Sequence, residues 1–322
     1  MTLETETVLD RRALRRRLGF WRAGAVIAAV AAIGAVVGSM SSASKLGETK
    51  QIARVAIEGV ITEDREQLRL LQRIRDAKNV QGVILFINSP GGTTTGGEAL
   101  FEAVRDIAKN KPVVAQFGTV AASAAYITGL ATDHIVARGN SITGSVGVIF
   151  QWPDVSQLME KVGVKFNEIK SGPLKAVPSM YEPLSPEGRK VTEAMVAESQ
   201  VWFLDLVKSR RGIVTASVPG LEQGRVFSGR EALTYKLVDS IGAEPEAVKW
   251  LETSRNVQKG LKVVDWKPRR DSDLSWLNLA GQAVAGFLGY DNSTVSRILG
   301  DDRTIARLTL DGMVSVWQPS DK

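Results

Sequence analysis

The run Gly82-Val-Ile-Leu-Phe-Ile87 carries no polar side chain and stops at Asn88-Ser-Pro-Gly-Gly92. A run this short and continuous, closed by turn-forming residues, reads as a buried parallel strand that feeds a loop. The sequence around it fits such a sheet. Ile52 to Ile61 is β-branched and strand-like, and Asp64 to Ala77 places Leu68, Leu70, Leu71 and Ile74 at helical spacing. Gly97 to Ala108 reads as a helix, Pro112 to Phe117 as a second buried strand, and Ser123 to Leu130 as the start of another helix. Strands are expected at His134 to Ala137 and Val146 to Phe150, a helix at Pro153 to Val162, and a strand-like stretch at Lys165 to Ile169. The clearest element is a long helix with Ser185 as cap, Pro186 at its first position and Gly212 after its end. Helix and strand alternate through most of residues 50–255, which argues an α/β body.

Two terminal stretches stand apart from that body. Ala23 to Met40 has no charge, and Arg11, Arg12, Arg15, Arg16, Arg17 and Arg22 precede it. Its length reaches the threshold for a transmembrane helix, about 18 residues. The arginines predict a cytoplasmic amino terminus, with everything after Lys45 on the far side. Small residues at Ser41-Ser42-Ala43 offer a rival reading as a cleaved signal peptide. The apolar run exceeds the usual signal core of about 7–15 residues, which favours an uncleaved anchor. At the other end the character changes from Asn256: Lys267 to Asp273 is charged, and Leu274 to Leu288 is apolar with small residues. The division is therefore a basic amino terminus (1–22), an anchor (23–40), a linker (41–50), the body (51–255) and a carboxy-terminal extension (256–322).

Composition narrows the chemistry. Hydrophobic residues make up 44% and charged residues 24%, which is globular rather than disordered. The net charge of +6 is partly the arginine cluster, and no aromatic-interleaved basic stripe points to nucleic acid. With no cysteine, thiolate catalysis, disulfides and cysteine metal sites are excluded. With one histidine, His134, any cluster of imidazoles is excluded as well. No cofactor is expected.

Three segments can carry chemistry. The glycines of Asn88-Ser-Pro-Gly91-Gly92 can present backbone N–H groups unobstructed, as an oxyanion hole requires, although an ordinary strand-to-helix turn has the same composition. A phosphate-binding loop is ruled out, because Gly92-Thr-Thr-Thr-Gly-Gly97 is followed by Glu98 rather than by Gly-Lys-Ser/Thr. Ser123, in Gly118-Thr-Val-Ala-Ala-Ser-Ala-Ala-Tyr126, sits at a strand-to-helix junction where the helix dipole favours developing negative charge. Alone it reads equally as a simple helix cap. Lys175, in Lys170-Ser-Gly-Pro-Leu-Lys175, has Pro173, Leu174, Ala176, Val177 and Pro178 around it. A lysine desolvated in such company can act as a base, and one that snorkels from an apolar loop cannot. His134 lies in an apolar strand-like run and reads as structural.

Taken in order, these segments resemble the signal peptide peptidase A family. The glycine-rich turn, the Gly-x-x-Ala-Ala-Ser segment and Ser-Gly-x-x-Lys are joined by Gly144-Ser-Val-Gly-Val148. Arg225-Val-Phe-Ser-Gly-Arg-Glu-Ala232, Leu237-Val-Asp239 and Ile241-Gly242 match the family's closing segment. The resemblance implies a Clp protease/crotonase-like fold of stacked β-β-α units, preceded by one transmembrane helix. It also implies a Ser–Lys dyad with Ser123 as nucleophile and Lys175 as general base, and an oxyanion amide from Gly92 or its neighbour Gly91. Expected substrates are signal-peptide remnants and other apolar peptides. Expected assembly is a homo-oligomer in a bacterial inner membrane, with serine and lysine supplied by adjacent copies and the peptidase domain outside the cytoplasm. Ala124 and Ala125 stand where the family usually has glycines, so their methyl groups are expected to narrow the cleft or strain the backbone. The rival functions are an inactive membrane scaffold of the same fold and a crotonase-like acyl-CoA enzyme.

Overall fold

The computed structural model describes residues 49–268 and 313–316. The basic amino terminus and the anchor expected at 23–40 lie outside the described residues. Among the described residues no helix is long and apolar enough to cross a membrane.

The body is α/β, as the alternation predicts. Its main sheet has eight strands. A fully parallel path runs β10 (Lys262–Asp265), β1 (Gln51–Glu58), β2 (Val80–Ser89), β4 (Val113–Ala122), β5 (His134–Ala137) and β9 (Ser240–Ile241). Off this path, β6 (Ile142–Gly144) lies parallel to the last residues of β4 and antiparallel to β8 (Val226–Ser228). A second, three-stranded sheet places β11 (Met313–Val316) between β3 (Gly91–Thr93) and β7 (Ile149–Phe150).

Side chains alternate across the pleat, so each buried strand serves two cores. Val83, Leu85 and Ile87 of β2 pack with Val113, Ala115 and Phe117 of β4. Helices α1 (Arg65–Asp76), α2 (Thr94–Ala108) and α3 (Ala124–Leu130) cover this face through Leu70, Leu71, Ile74, Leu100, Val104, Ile107 and Ile127. The intervening Ile84 and Val114, with Ile52 and Val136, meet Ala247 and Leu251 of a helix on the other side, α7 (Glu244–Ser254, numbered after α4 to α6 below). Burial of each such Leu or Ile is worth roughly 1.5–3 kcal/mol.

Local signals place the helix ends. Asp64 accepts the N–H groups of Glu66 and Gln67 to open α1, and Thr93 accepts Gly96 N–H to open α2. The long helix α5 runs from Pro186 to Arg211, between the Ser185 cap and Gly212 in the left-handed conformation, as the sequence predicts. Two further helices are short, α4 (Ser156–Lys161) and α6 (Gly229–Thr234).

Several expectations are corrected. Strand β4 does not stop at Phe117 but continues to Ala122, because Asn88 Oδ1 accepts the N–H groups of Thr119 and Val120 and ties the far half of β4 to β2. Only Ile149–Phe150 of the predicted 146–150 strand is extended and paired. Lys165 to Ile169 forms no strand, because no neighbour offers a ladder, and Ile169 is fully exposed. Strand β10 joins the main sheet from beyond the 255 boundary drawn from the sequence.

Candidate active site

Ser123 is the junction between β4 and α3, and its backbone is strained. Its φ of 60° and ψ of −122° lie where residues other than glycine rarely go, at a typical cost of about 1–3 kcal/mol. The residue is fully buried. Two backbone bonds hold it there: its N–H donates to the Gly144 carbonyl at 2.9 Å, and its carbonyl accepts Ile127 N–H at 3.0 Å. The clamp is itself unusual, with Gly144 at φ 87° and Ser145 at φ 52°, and Ser145 N–H donating to Arg225. Although Ser123 occupies the N-cap position, its side chain makes no capping hydrogen bond. The simple-cap reading is thereby overturned, and strain is maintained at a hydroxyl that does not cap its helix.

The two alanines that follow do not narrow anything. Ala124 and Ala125 are the first residues of α3 and are fully buried in the main core. A Cβ added to Gly97 would come 3.2 Å from that of Ala124, so the missing side chain at position 97 makes room for the methyl group. This compensation is invisible to a local reading of the sequence. Ala124 also contributes something the sequence reading missed. As the first helical residue it has an N–H with no intrahelical acceptor, pointing toward the helix start beside Ser123.

The glycine pair resolves into two different roles. Gly91, at φ 112°, donates its N–H to Ser89 Oγ at 3.1 Å and accepts Ile61 N–H at 2.9 Å. Thr93 N–H returns to the Ile61 carbonyl at 2.9 Å. Because polar groups alternate along a strand, the N–H and C=O of Gly92 face the opposite edge. A Cβ on Gly92 would lie 1.8 Å from the Ile61 carbonyl oxygen, so no other residue fits. Of the two, Gly92 has its amide turned away from Ile61, and β3 packs against α3 beside Ser123.

Lys175 is placed differently. It lies between α4 and α5 on an arm with little regular structure, and it is exposed in a single chain. Its own chain therefore does not provide the desolvation expected from its apolar neighbours. Lys170, the other lysine of the motif, is bound to Glu168 and Glu182, which raise its pKa and keep it charged. The arm also exposes Leu158, Val162, Val164, Phe166, Ile169 and Leu174.

A serine–histidine–aspartate arrangement exists elsewhere but is structural. His134 Nε2 lies 3.0 Å from Ser240 Oγ, and Nδ1 is 3.8 Å from Asp239, beyond hydrogen-bond range. The Asp239 carboxylate instead accepts Ile135 N–H at 2.7 Å and both terminal nitrogens of Arg211. His134 stacks on Trp250 at 4.8 Å, and burial lowers its pKa, so the ring serves the sheet as a neutral group.

Comparison with known proteins gives the family. Residues 105–258 match the model of peptidase family S49, and residues 44–138 match that of Clp protease. A "putative protease" of Synechocystis sp. is 33% identical over 211 residues, spanning 65% of this chain and 76% of the relative. A "putative signal peptide peptidase SppA" of Enterococcus faecium is 31% identical over 267 residues, spanning 78% of this chain and 76% of the relative. "Protease 4" of Haemophilus influenzae is 31% identical over 226 residues, spanning 67% of this chain and 37% of the relative. The chain belongs to peptidase family S49, the signal peptide peptidase family, and is a serine peptidase with a Clp protease-like α/β fold.

Proposed function

We propose that the protein is a membrane-anchored endopeptidase that cuts signal-peptide remnants and other apolar peptides through a Ser123–Lys175 dyad. The observation that carries this reading is Ser123, strained and fully buried at the start of α3, the helix on which the Gly92 strand β3 packs. Neutral Lys175 takes the proton from Ser123 Oγ as the oxygen attacks the peptide carbonyl. The N–H groups of Gly92 and Ala124 receive the oxyanion. Lys175 returns the proton to the leaving amine, and water then hydrolyses the acyl ester.

Exposure of Lys175 in one chain supports a site completed between copies. Burial of the arm's apolar residues against a neighbour removes Lys175 from water, and desolvation favours the neutral amine that a general base needs. Assembly thus becomes a condition of activity. The uncharged run Ala23 to Met40, with arginines before it, supports an inner-membrane anchor with the body outside the cytoplasm.

The test is labelling with a serine-directed fluorophosphonate, combined with hydrolysis of a fluorogenic apolar peptide. Wild type is expected to label at Ser123 and to turn over. Ser123→Ala is expected to lose labelling and to lose hydrolysis by at least about 10⁴-fold. Undiminished turnover in Ser123→Ala would refute the nucleophile assignment.

A further inference from the structure

The parallel ladder between β2 and β4 changes register just before Ser123. Ile87 stands opposite Phe117 and Ser89 opposite Ala121, so Asn88 alone faces Gly118, Thr119 and Val120 together. Strand β4 therefore carries a bulge at this point. The Asn88 side chain fills it: Oδ1 accepts Thr119 N–H at 3.0 Å and Val120 N–H at 3.3 Å. Gly118 makes the room, since a Cβ there would come 2.9 Å from both Cβ and Oδ1 of Asn88.

The bulge is also where β4 changes neighbours. Before it, Val114 to Gln116 pair with β5; after it, Val120 to Ala122 pair with β6. The Gly118 carbonyl accepts the Ser141 hydroxyl at 2.6 Å, just before β6 begins. Ser123 is the next residue after β4, and its N–H carries the contact with β6 on to the Gly144 carbonyl. A bulge re-aims the strand beyond it, so the direction in which β4 delivers Ser123 is set at Thr119 and Val120. Stability alone gives little reason for the Asn88 contacts. Thr119 is exposed and Val120 half-buried, so water can replace Asn88 at both N–H groups with little loss to the fold. The serine needs them more, because a strained backbone persists only where its surroundings over-determine it. We propose that Asn88 is a positioning residue: its amide oxygen fixes the bulge that holds Ser123 in its strained conformation against Gly144. This inference rests on the peptidase reading and adds to it a residue that acts through the backbone of β4.

Two variants in the full-length protein test it. Asn88→Ala removes the acceptor, whereas Asn88→Asp keeps an oxygen in its place. Asn88→Ala is expected to lower kcat for the fluorogenic peptide by about 10²-fold, the usual cost of a misplacement of about 1 Å, with KM changed by no more than about twofold. Asn88→Asp is expected to return kcat to within about threefold of wild type, since a carboxylate accepts the same N–H groups. Hydrogen exchange gives a readout that does not depend on turnover. In Asn88→Ala, peptides covering residues 118–124 are expected to exchange at least about tenfold faster, while those covering 113–117 keep wild-type rates. Wild-type kcat in Asn88→Ala, or equal loss in both variants, would overturn the proposal. Unchanged exchange at 118–124 would overturn it as well, whatever the activity. A wild type with no turnover, together with the faster exchange in Asn88→Ala, would sink the peptidase reading and leave the positioning of Ser123 standing.

Discussion

The segment from β2 to α3 and the arm between β7 and α5 each hold one half of the proposed dyad, and they are built in opposite ways. In the first, every backbone step near Ser123 is fixed from several sides: by Asn88 across to β4, by Ile61 against the glycines, and by Gly144 beneath the serine. In the second, regular structure amounts to α4, and apolar side chains face outward from Leu158 to Leu174. A buried, strained serine is ready in one chain. An exposed lysine on an apolar arm is ready only when something covers it. The difference teaches that the proposed nucleophile is held by the fold itself, whereas the proposed base depends on what packs on the arm.

The largest expected effect comes from the fixed half. Gly92→Ala forces a methyl group into the Ile61 carbonyl, so strand β3 must shift. Hydrolysis is expected to fall by about 10²–10³-fold, the usual cost of losing one oxyanion donor, together with a clear drop in thermal stability. Wild-type kinetics in this variant would mean that β3 does not line the cleft. The arm should respond in the reverse pattern. Val164→Asp with Ile169→Asp is expected to dissociate assemblies at micromolar concentration, as read by sedimentation velocity, with about 10²-fold loss of hydrolysis. Unfolding of the body is expected to change by no more than about 0.5 kcal/mol, since both residues are exposed in one chain. Loss of stability without dissociation would make the arm part of the core after all.

A smaller effect separates the structural histidine from the site. Burial lowers the pKa of His134 below its ordinary 6.5, so the unfolded chain takes up the proton first. Its contribution to stability is complete above about pH 6.5 and is lost as pH falls toward the lower folded value. Replacement by asparagine is expected to flatten the stability–pH curve in that window by about 1 kcal/mol or less, leaving the pH profile of kcat unchanged. A shift in that profile would return His134 to the reaction.

Much of the fixed half was legible in the sequence because its determinants are local. The apolar run into Asn88-Ser-Pro-Gly-Gly92, and Ser185-Pro186 with Gly212 around α5, each state their geometry within a few residues. What escaped depends on partners distant in the chain. The extension of β4 to Ala122 needs Asn88, the tolerance of Ala124 needs Gly97, and strands β10 and β11 exist only through pairing with β1 and with β3 and β7. The difference between Gly91 and Gly92 is likewise set by Ile61, some thirty residues earlier. Lys165 to Ile169 misled for the complementary reason: strand-forming residues without a neighbouring strand stay irregular.

The account stands most directly on whether serine and lysine meet across copies. The decisive measurement is peptide hydrolysis by Ser123→Ala and Lys175→Ala, each alone and then mixed after subunit exchange. Each variant alone is expected to be inactive, and the mixture to recover a substantial fraction of wild-type turnover, as intact Ser123 from one copy meets intact Lys175 from another. No recovery, in mixtures shown to contain both variants in the same assembly, would contradict the account and confine the chemistry to single chains.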